Sequence, residues 1–167
     1  WEPWYLIPAS EPRVTLDEVL AVVPAGSHLW LDLKGFTRGF ARRVLTVVGD
    51  RYDLTVSSRA WWILAVAGDR PGVRVMRSVG DRFQRWLVTQ RWVRPTSPVP
   101  DQGVVMHERL ADADSVARIR RHWSPVVTWA VTDLGRVREL EQIGVAGVIA
   151  DDLALIAAAG PNDHEQD

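Results

Sequence analysis

The 167-residue sequence contains no cysteine, which excludes disulfide bonds, thiolate catalysis and cysteine-ligated metals. No apolar run approaches the ~20 residues that cross a bilayer, so we expect no transmembrane segment. The net charge is only -1, so the chain as a whole has no strong attraction for nucleic acid or an anionic membrane. We expect a soluble protein without a nucleic-acid partner, and the cytoplasm is the favoured compartment. Methionine is absent from the first position, so we expect an upstream segment in the native protein.

The residues that are present predict an α/β fold. Hydrophobic residues make up 47% and charged residues 25%, as in ordinary globular domains. Six apolar strand patterns alternate with helical patterns at intervals of roughly 20–30 residues, which is typical of successive βα units. The predicted strands are 29–34, 54–58, 73–76, 103–106, 126–131 and 147–149. The predicted helices are 15–22, 36–48, 60–67, 81–92, 114–123, 134–143 and 153–159.

Two architectures fit this order of elements. The strands are short and almost entirely apolar, as expected of parallel strands that helices cover on both faces. A doubly wound open sheet would give this pattern, and so would a TIM (β/α)8-type barrel of which about six of eight units are present. No G-x-G-x-x-G turn follows a strand, which weighs against a dinucleotide-binding fold.

The segment 29–35 carries two charges in an otherwise apolar strand. Because side chains alternate along a strand, Trp30, Asp32 and Lys34 are predicted to share one face. Two opposite charges there are costly unless they are paired or used. In one interpretation, Asp32 is a ligand for Mg²⁺ or Ca²⁺ and Lys34 binds a phosphate oxygen. In the other, the two residues form a structural ion pair.

Further polar residues follow the other predicted strands. Residues at the carboxyl ends of barrel strands face the active site. His107 is a weak candidate for substrate binding, and the alternative is a histidine that caps a strand end. Trp129 is either the wall of a ligand pocket or a core residue. Ser57 and Ser58 are predicted to be turn and helix-cap residues, because no G-x-S-x-G motif surrounds them.

The motifs and their order resemble the glycerophosphodiester phosphodiesterase family. The segment 126–133, V-V-T-W-A-V-T-D, resembles the V-x-W-T-V-N strand of that family, and 144–151, G-V-A-G-V-I-A-D, resembles its G-V-D-G-I-I-T-D. Upstream, 15–20 and 31–34 resemble T-L-x-E-V-L and I-E-x-K, and 56–58 resembles a strand that ends in S-S-F. The resemblance extends over nearly the whole chain.

This resemblance implies a (β/α)8 barrel that hydrolyses glycerophosphodiesters to an alcohol and glycerol 3-phosphate, in lipid and glycerol metabolism. It implies a divalent metal and a pair of catalytic histidines. By position, Asp32 matches the metal-binding Glu of E-x-K, Lys34 its lysine, and Trp129 the pocket tryptophan. The H-R-G, E-N-T and E-x-D motifs of the family have no match here, so none of its catalytic histidines is present.

These departures leave two functions open. The residues 1–159 are predicted to be the C-terminal portion of a phosphodiesterase-like barrel, followed by a flexible tail at 160–167. The alternative is a catalytically degenerate barrel that binds a phosphorylated or lipid-like ligand without turnover. An unrelated α/β interaction domain is a third reading. An unclosed barrel would have open strand edges, so we also expect self-association.

Overall fold

The computed structural model describes residues 14–68, 70–90 and 102–160. The sequence also predicts an irregular lead-in at 1–13 and a proline-rich loop at 95–100. Both lie outside the described residues, as does the predicted flexible tail from 161 onward. The chain divides into two compact units, Trp1–Ser78 and Val79–Asp167, which are described in turn. The prediction of one barrel domain over 1–159 stays a prediction.

The first unit alternates helices with parallel strands. β1 pairs with β2 so that Asp32 lies opposite Ser57, and β2 pairs with β3 so that Val56 lies opposite Val75. The elements in chain order are α1 (Leu16–Val22), β1 (His28–Asp32), α2 (Arg38–Val48), β2 (Asp53–Ser58), α3 (Ala65–Gly68) and β3 (Val73–Val79).

The apolar core of this unit covers one face of its strands. Leu29 and Leu31, on alternate positions of β1, pack against a buried cluster that includes Leu45 and Val48 of α2. The other face of β1 carries His28, Trp30 and Asp32, as the period of a strand requires. The polar residues of β1 therefore lie on the face away from this helix-covered core.

The second unit repeats the same arrangement. β5 pairs in parallel with β4 and with β6, and His107 lies opposite Trp129. The sequence predicts that Val116, Ile119 and Trp123 face inward, and the structure buries all three side chains. The elements are α4 (Arg82–Thr89), β4 (Gln102–His107), α5 (Ala113–Arg120), β5 (Val126–Trp129), α6 (Leu134–Gln142), β6 (Gly147–Ile149) and α7 (Leu153–Ala159).

Short polar side chains begin most of the helices. The spacing of Thr15 and Glu18 predicts a capping box, which is present. The sequence also predicts Asp81 and Asp133 as helix caps, and both accept hydrogen bonds from backbone N–H groups. Asp112 and Asp152 cap α5 and α7 in the same way. The hydrogen bonds of Thr15 lower the pKa of Glu18.

Several predicted elements differ from the structure. β3 continues to Val79, beyond the predicted end at 76, and α5 ends at Arg120 and not at 123. The predicted helix at 60–67 is a 3₁₀ turn at Trp61–Ile63 followed by the four-residue α3, because bulky and β-branched residues disfavour a continuous helix there. The strand predicted at 126–131 ends at Trp129, since Ala130 has φ 65° and leaves the extended region. β1 ends at Asp32, so Lys34 lies in the loop that follows it.

The described elements therefore form an α/β structure with parallel strands and six βα units, consistent with part of a TIM-like barrel. Closure by eight units stays a prediction. β1 pairs with β2, and β6 pairs with β5. Self-association through open strand edges also stays a prediction. In the described ranges, no helix has the length and apolar character needed to cross a membrane.

Replacing the cap residue Asp112 should destabilise the protein. The N–H of Ser115, and then its hydroxyl and the Arg85 guanidinium, lower the pKa of Asp112. The carboxylate therefore stabilises the fold above its unfolded pKa, and this contribution is lost as the pH falls through the folded pKa. We expect Asp112→Ala to cost about 1 kcal/mol at pH 7 in urea unfolding.

Asp112→Asn tests the capping hydrogen bond separately from the negative charge of the carboxylate. Asparagine caps a helix as well as aspartate does, so this variant should retain most of the stability at pH 7 and lose the acid-dependent part. An Ala variant as stable as the parent would contradict the structural role of this cap.

Candidate functional site

Asp32 and Lys34 meet at the carboxyl end of β1. The Nζ of Lys34 donates to Oδ2 of Asp32 and forms an ion pair with it. The side chain of Asp32 is 37% exposed and that of Lys34 is 67% exposed. Both charges are thus accessible to a ligand. The structure contains the ion pair that the second interpretation predicts. The exposure of both side chains also allows a ligand to contact this pair.

Ser57 holds this pair from the neighbouring strand. Its Oγ donates to Oδ1 of Asp32 at 3.0 Å and accepts from Nε1 of Trp30 at 3.0 Å. The Ser57 residue is only 1% exposed. Because both partners lie on β1 and the register places Ser57 opposite Asp32, the three side chains form one chain of hydrogen bonds. The prediction of a turn or cap residue at Ser57 is wrong.

Ser58 behaves as the sequence predicts. Its Oγ accepts from the N–H of Ala60 at 3.1 Å and donates to the carbonyl of Leu33 at 2.7 Å. Ser58 therefore stabilises the turn after β2, while Ser57 orients the acid.

The Asp32–Lys34 pair has free capacity for an anion. A lysine ammonium has three donors, and one is used by Asp32. The remaining donors, on an exposed group, suit a phosphate oxygen as a point charge. Asp32 keeps Lys34 near the strand end, and Ser57 keeps Asp32 in one orientation.

The described residues do not by themselves fit a metal centre. Ca²⁺ takes about six to eight oxygen ligands, and Mg²⁺ requires octahedral coordination. Asp32 offers one carboxylate whose two oxygens already accept from Ser57 and Lys34. In the described part of the chain no group of three or more His, Cys, Asp or Glu could hold a metal ion. The role of Asp32 as a ligand stays a prediction that requires further carboxylates from elsewhere.

In the second unit, His107 and Trp129 lie side by side at the ends of β4 and β5. Their ring centroids are 4.6 Å apart in an edge-on arrangement. Nδ1 of His107 accepts from the N–H of Arg109 at 3.2 Å, as a strand-end cap would. In the neutral ring the proton is then on Nε2, so His107 offers a hydrogen-bond donor.

The loop that follows His107 is anchored by α6. Arg136 donates from Nε to Oε2 of Glu108 at 2.9 Å, and from Nη2 to the carbonyls of Glu108 and Ala111. Burial acts to lower the pKa of Arg136, but the hydrogen bonds and charges of Glu139 and Glu108 outweigh it and raise the pKa. This arginine therefore stays charged and fixes the backbone beside His107.

Among the tryptophans that the structure describes, Trp129 differs from four others in its indole N–H. Four tryptophans donate this group within the protein, to Ser57, Ser78, Phe36 and Val88. Trp129 is half-buried, and its N–H has no protein acceptor among the residues that the structure describes. The positive φ of Ala130 turns the chain directly after it. Trp129 can thus contact a ligand with both its ring face and its N–H.

The structure brings together the predicted residues in two sets. Asp32 and Lys34 belong to the first unit, and His107 and Trp129 to the second. That the two sets face one common active site stays a prediction. Sequence reasoning missed the role of Ser57, because this role depends on the register of β1 against β2, which only the structure gives.

Comparison with known proteins supports the fold. No family model and no curated protein matches the chain. The structure is similar to the crystal structure of a protein from Silicibacter pomeroyi DSS-3 that is provisionally named a glycerophosphoryl diester phosphodiesterase. The TM-score is 0.51, with 18% identity over 73% of this chain. The match spans 45% of the other chain's length. At this identity the likeness shows the fold.

Removing the Ser57 hydroxyl should destabilise the protein. Ser57→Ala leaves the Trp30 N–H and one oxygen of Asp32 without their partner, which should cost about 1–3 kcal/mol in urea unfolding. Ser78→Ala is the matched control, because Ser78 is likewise a buried serine in a strand of the same unit, β3. Equal effects of the two substitutions would show that the Ser57 bridge contributes nothing.

Proposed function

We propose that the protein is a glycerophosphodiester phosphodiesterase, a hydrolase that releases an alcohol and glycerol 3-phosphate. The observation that carries the proposal is the exposed Asp32–Lys34 pair, which Ser57 holds at the carboxyl end of a parallel strand. The motif resemblance along the chain and the likeness in fold support it. The substrate would be a small phosphodiester.

Each residue has a defined role in this proposal. Lys34 binds a non-bridging oxygen of the phosphodiester and offsets its negative charge. Asp32 keeps the ammonium in place and is the candidate metal ligand. Trp129 contacts the glycerol or the head group through its ring and its N–H. His107 donates a hydrogen bond from Nε2.

The reaction needs more than these residues supply. Phosphodiester hydrolysis requires charge neutralisation and a proton donor for the leaving oxygen. In the proposal, a divalent metal, Mg²⁺ or Ca²⁺, and the acid–base pair depend on groups other than the described residues. The proposal therefore concerns the full protein.

The second candidate is a barrel that binds a phosphorylated or lipid-like ligand without turnover. The observation that favours it is the engagement of both oxygens of Asp32 by protein groups. In this case Lys34 still binds phosphate, while no bond is broken.

Substitutions at Asp32 and Lys34 distinguish the two functions. In the full protein with added Mg²⁺ or Ca²⁺, we expect Asp32→Asn to abolish release of glycerol 3-phosphate from glycerophosphocholine, measured by an enzyme-coupled assay. We expect Lys34→Met to weaken binding of glycerol 3-phosphate by about 10–100-fold in calorimetry, because a charge-assisted contact is lost.

Asp50→Asn is the control for both variants. It removes an exposed ion pair with Arg70 in the same unit, and it should change neither turnover nor binding. Binding without any turnover in the parent would favour the second candidate. Full activity of Asp32→Asn would refute the assigned role of Asp32.

A further inference from the structure

Two exposed aromatic side chains lie on the loops that follow β1 and β2. Phe36 is 46% exposed and Trp62 is 56% exposed. Phe36 is two residues from Lys34, so their Cα atoms are within about 7 Å. These loops leave the same strand ends that carry Asp32 and Ser57. We call Phe36 and Trp62 the aromatic rim.

Hydrogen bonds join the two loops to each other. Nε1 of Trp62 donates to the carbonyl of Phe36 at 2.9 Å, and Nε of Arg38 donates to the carbonyl of Trp62 at 3.2 Å. Because the indole N–H is bonded inside the protein, the exposed part of the Trp62 ring is largely apolar. The position of the rim relative to the Lys34 loop is therefore fixed before any ligand arrives.

The backbone between Lys34 and Phe36 is also constrained. A Cβ on Gly35 would overlap the Phe40 ring, so the chain passes close to α2 at this point. Such a close approach leaves little freedom for the loop. Phe36 is thus presented outward by packed backbone.

The charge of the two loops is positive, although the whole chain has a net charge of -1. The segments 33–38 and 59–64 contain Lys34, Arg38 and Arg59 and no acidic residue. Asp32, immediately before them, forms an ion pair with Lys34, so the strand end and the two loops together contain three basic residues and one acidic residue. The aromatic rim therefore lies beside cations. This combination is complementary to a lipid surface, in which anionic head groups lie above apolar tails.

We propose that the aromatic rim docks the protein on an anionic lipid surface. Tryptophan and phenylalanine enter the boundary between head groups and acyl chains, and lysine and arginine attract anionic lipids. The docking does not rest on the proposed function, since it requires only the aromatic rim and the cations of the two loops.

Exposed aromatics elsewhere do not share this setting. Phe83 and Trp86 on α4 stack with their ring centroids 6.0 Å apart and are 66% and 51% exposed. They lie on a helix in the other unit and follow no strand end that carries a lysine. Isolated exposed apolar residues are common, so this pair serves as the matched control.

Vesicle sedimentation tests the docking. The full protein is mixed with vesicles of phosphatidylcholine containing one quarter phosphatidylglycerol. We expect it to bind, more weakly at high salt and on pure phosphatidylcholine. The double variant Phe36→Ala/Trp62→Ala should lower the partition coefficient at least about tenfold, whereas Phe83→Ala/Trp86→Ala should leave it unchanged. Circular dichroism confirms that both double variants are folded.

A parent that does not bind the anionic vesicles overturns the docking proposal, and so does a loss of binding in the α4 variant alone. A folded rim variant that binds as the parent does would also overturn it. Asp32→Asn separates docking from chemistry, because it should keep vesicle binding while it loses turnover. Vesicle binding without phosphodiester hydrolysis would retain the docking and refute the proposed function.

Discussion

The hydrogen bond from Ser57 to Asp32 is the contact on which the arrangement of the candidate site depends. Asp32 lies at the end of an apolar strand, and protein groups engage both of its carboxylate oxygens. Ser57 satisfies one oxygen from β2, and Lys34 satisfies the other from the following loop. The acid consequently has one orientation, and the lysine is held at the strand end beside the exposed loops.

Four other aspartates have a structural role at the N-termini of helices. Asp81, Asp112, Asp133 and Asp152 each accept hydrogen bonds from the first turn of a helix. A carboxylate used in this way stabilises the helix and is less available for a ligand. Asp32 stands apart from these four because its partners are side chains and not a helix terminus.

The tryptophans that the structure describes also differ from one another in their roles. Those at positions 30, 61, 62 and 123 bond their N–H groups inside the protein, which fixes each ring in place. Trp123 is fully buried, whereas the ring of Trp62 is more than half exposed. Tryptophan thus fills the core at position 123, donates a hydrogen bond to Ser57 at position 30 and presents an exposed apolar ring at position 62.

The sequence alone was enough for the alternation of strands and helices and for most of their boundaries. Hydrophobic periodicity and capping residues are local properties, so the capping box at Thr15 and the caps Asp81 and Asp133 were predictable. The shared face of Trp30 and Asp32 followed from the strand period. The interruption of the helix at 60–67 did not, because the segment contains no proline or glycine, and its bulky and β-branched residues disfavour a helix only weakly.

Only the tertiary structure decided what the polar residues do. Whether Ser57 begins a turn or bridges Trp30 and Asp32 depends on the register of β1 against β2, which is a contact between residues 25 or more positions apart. The link between the Trp62 and Phe36 loops depends on the same pairing. Sequence spacing indicates which residues can share a face of one strand, but it does not specify which residue of the next strand lies opposite them.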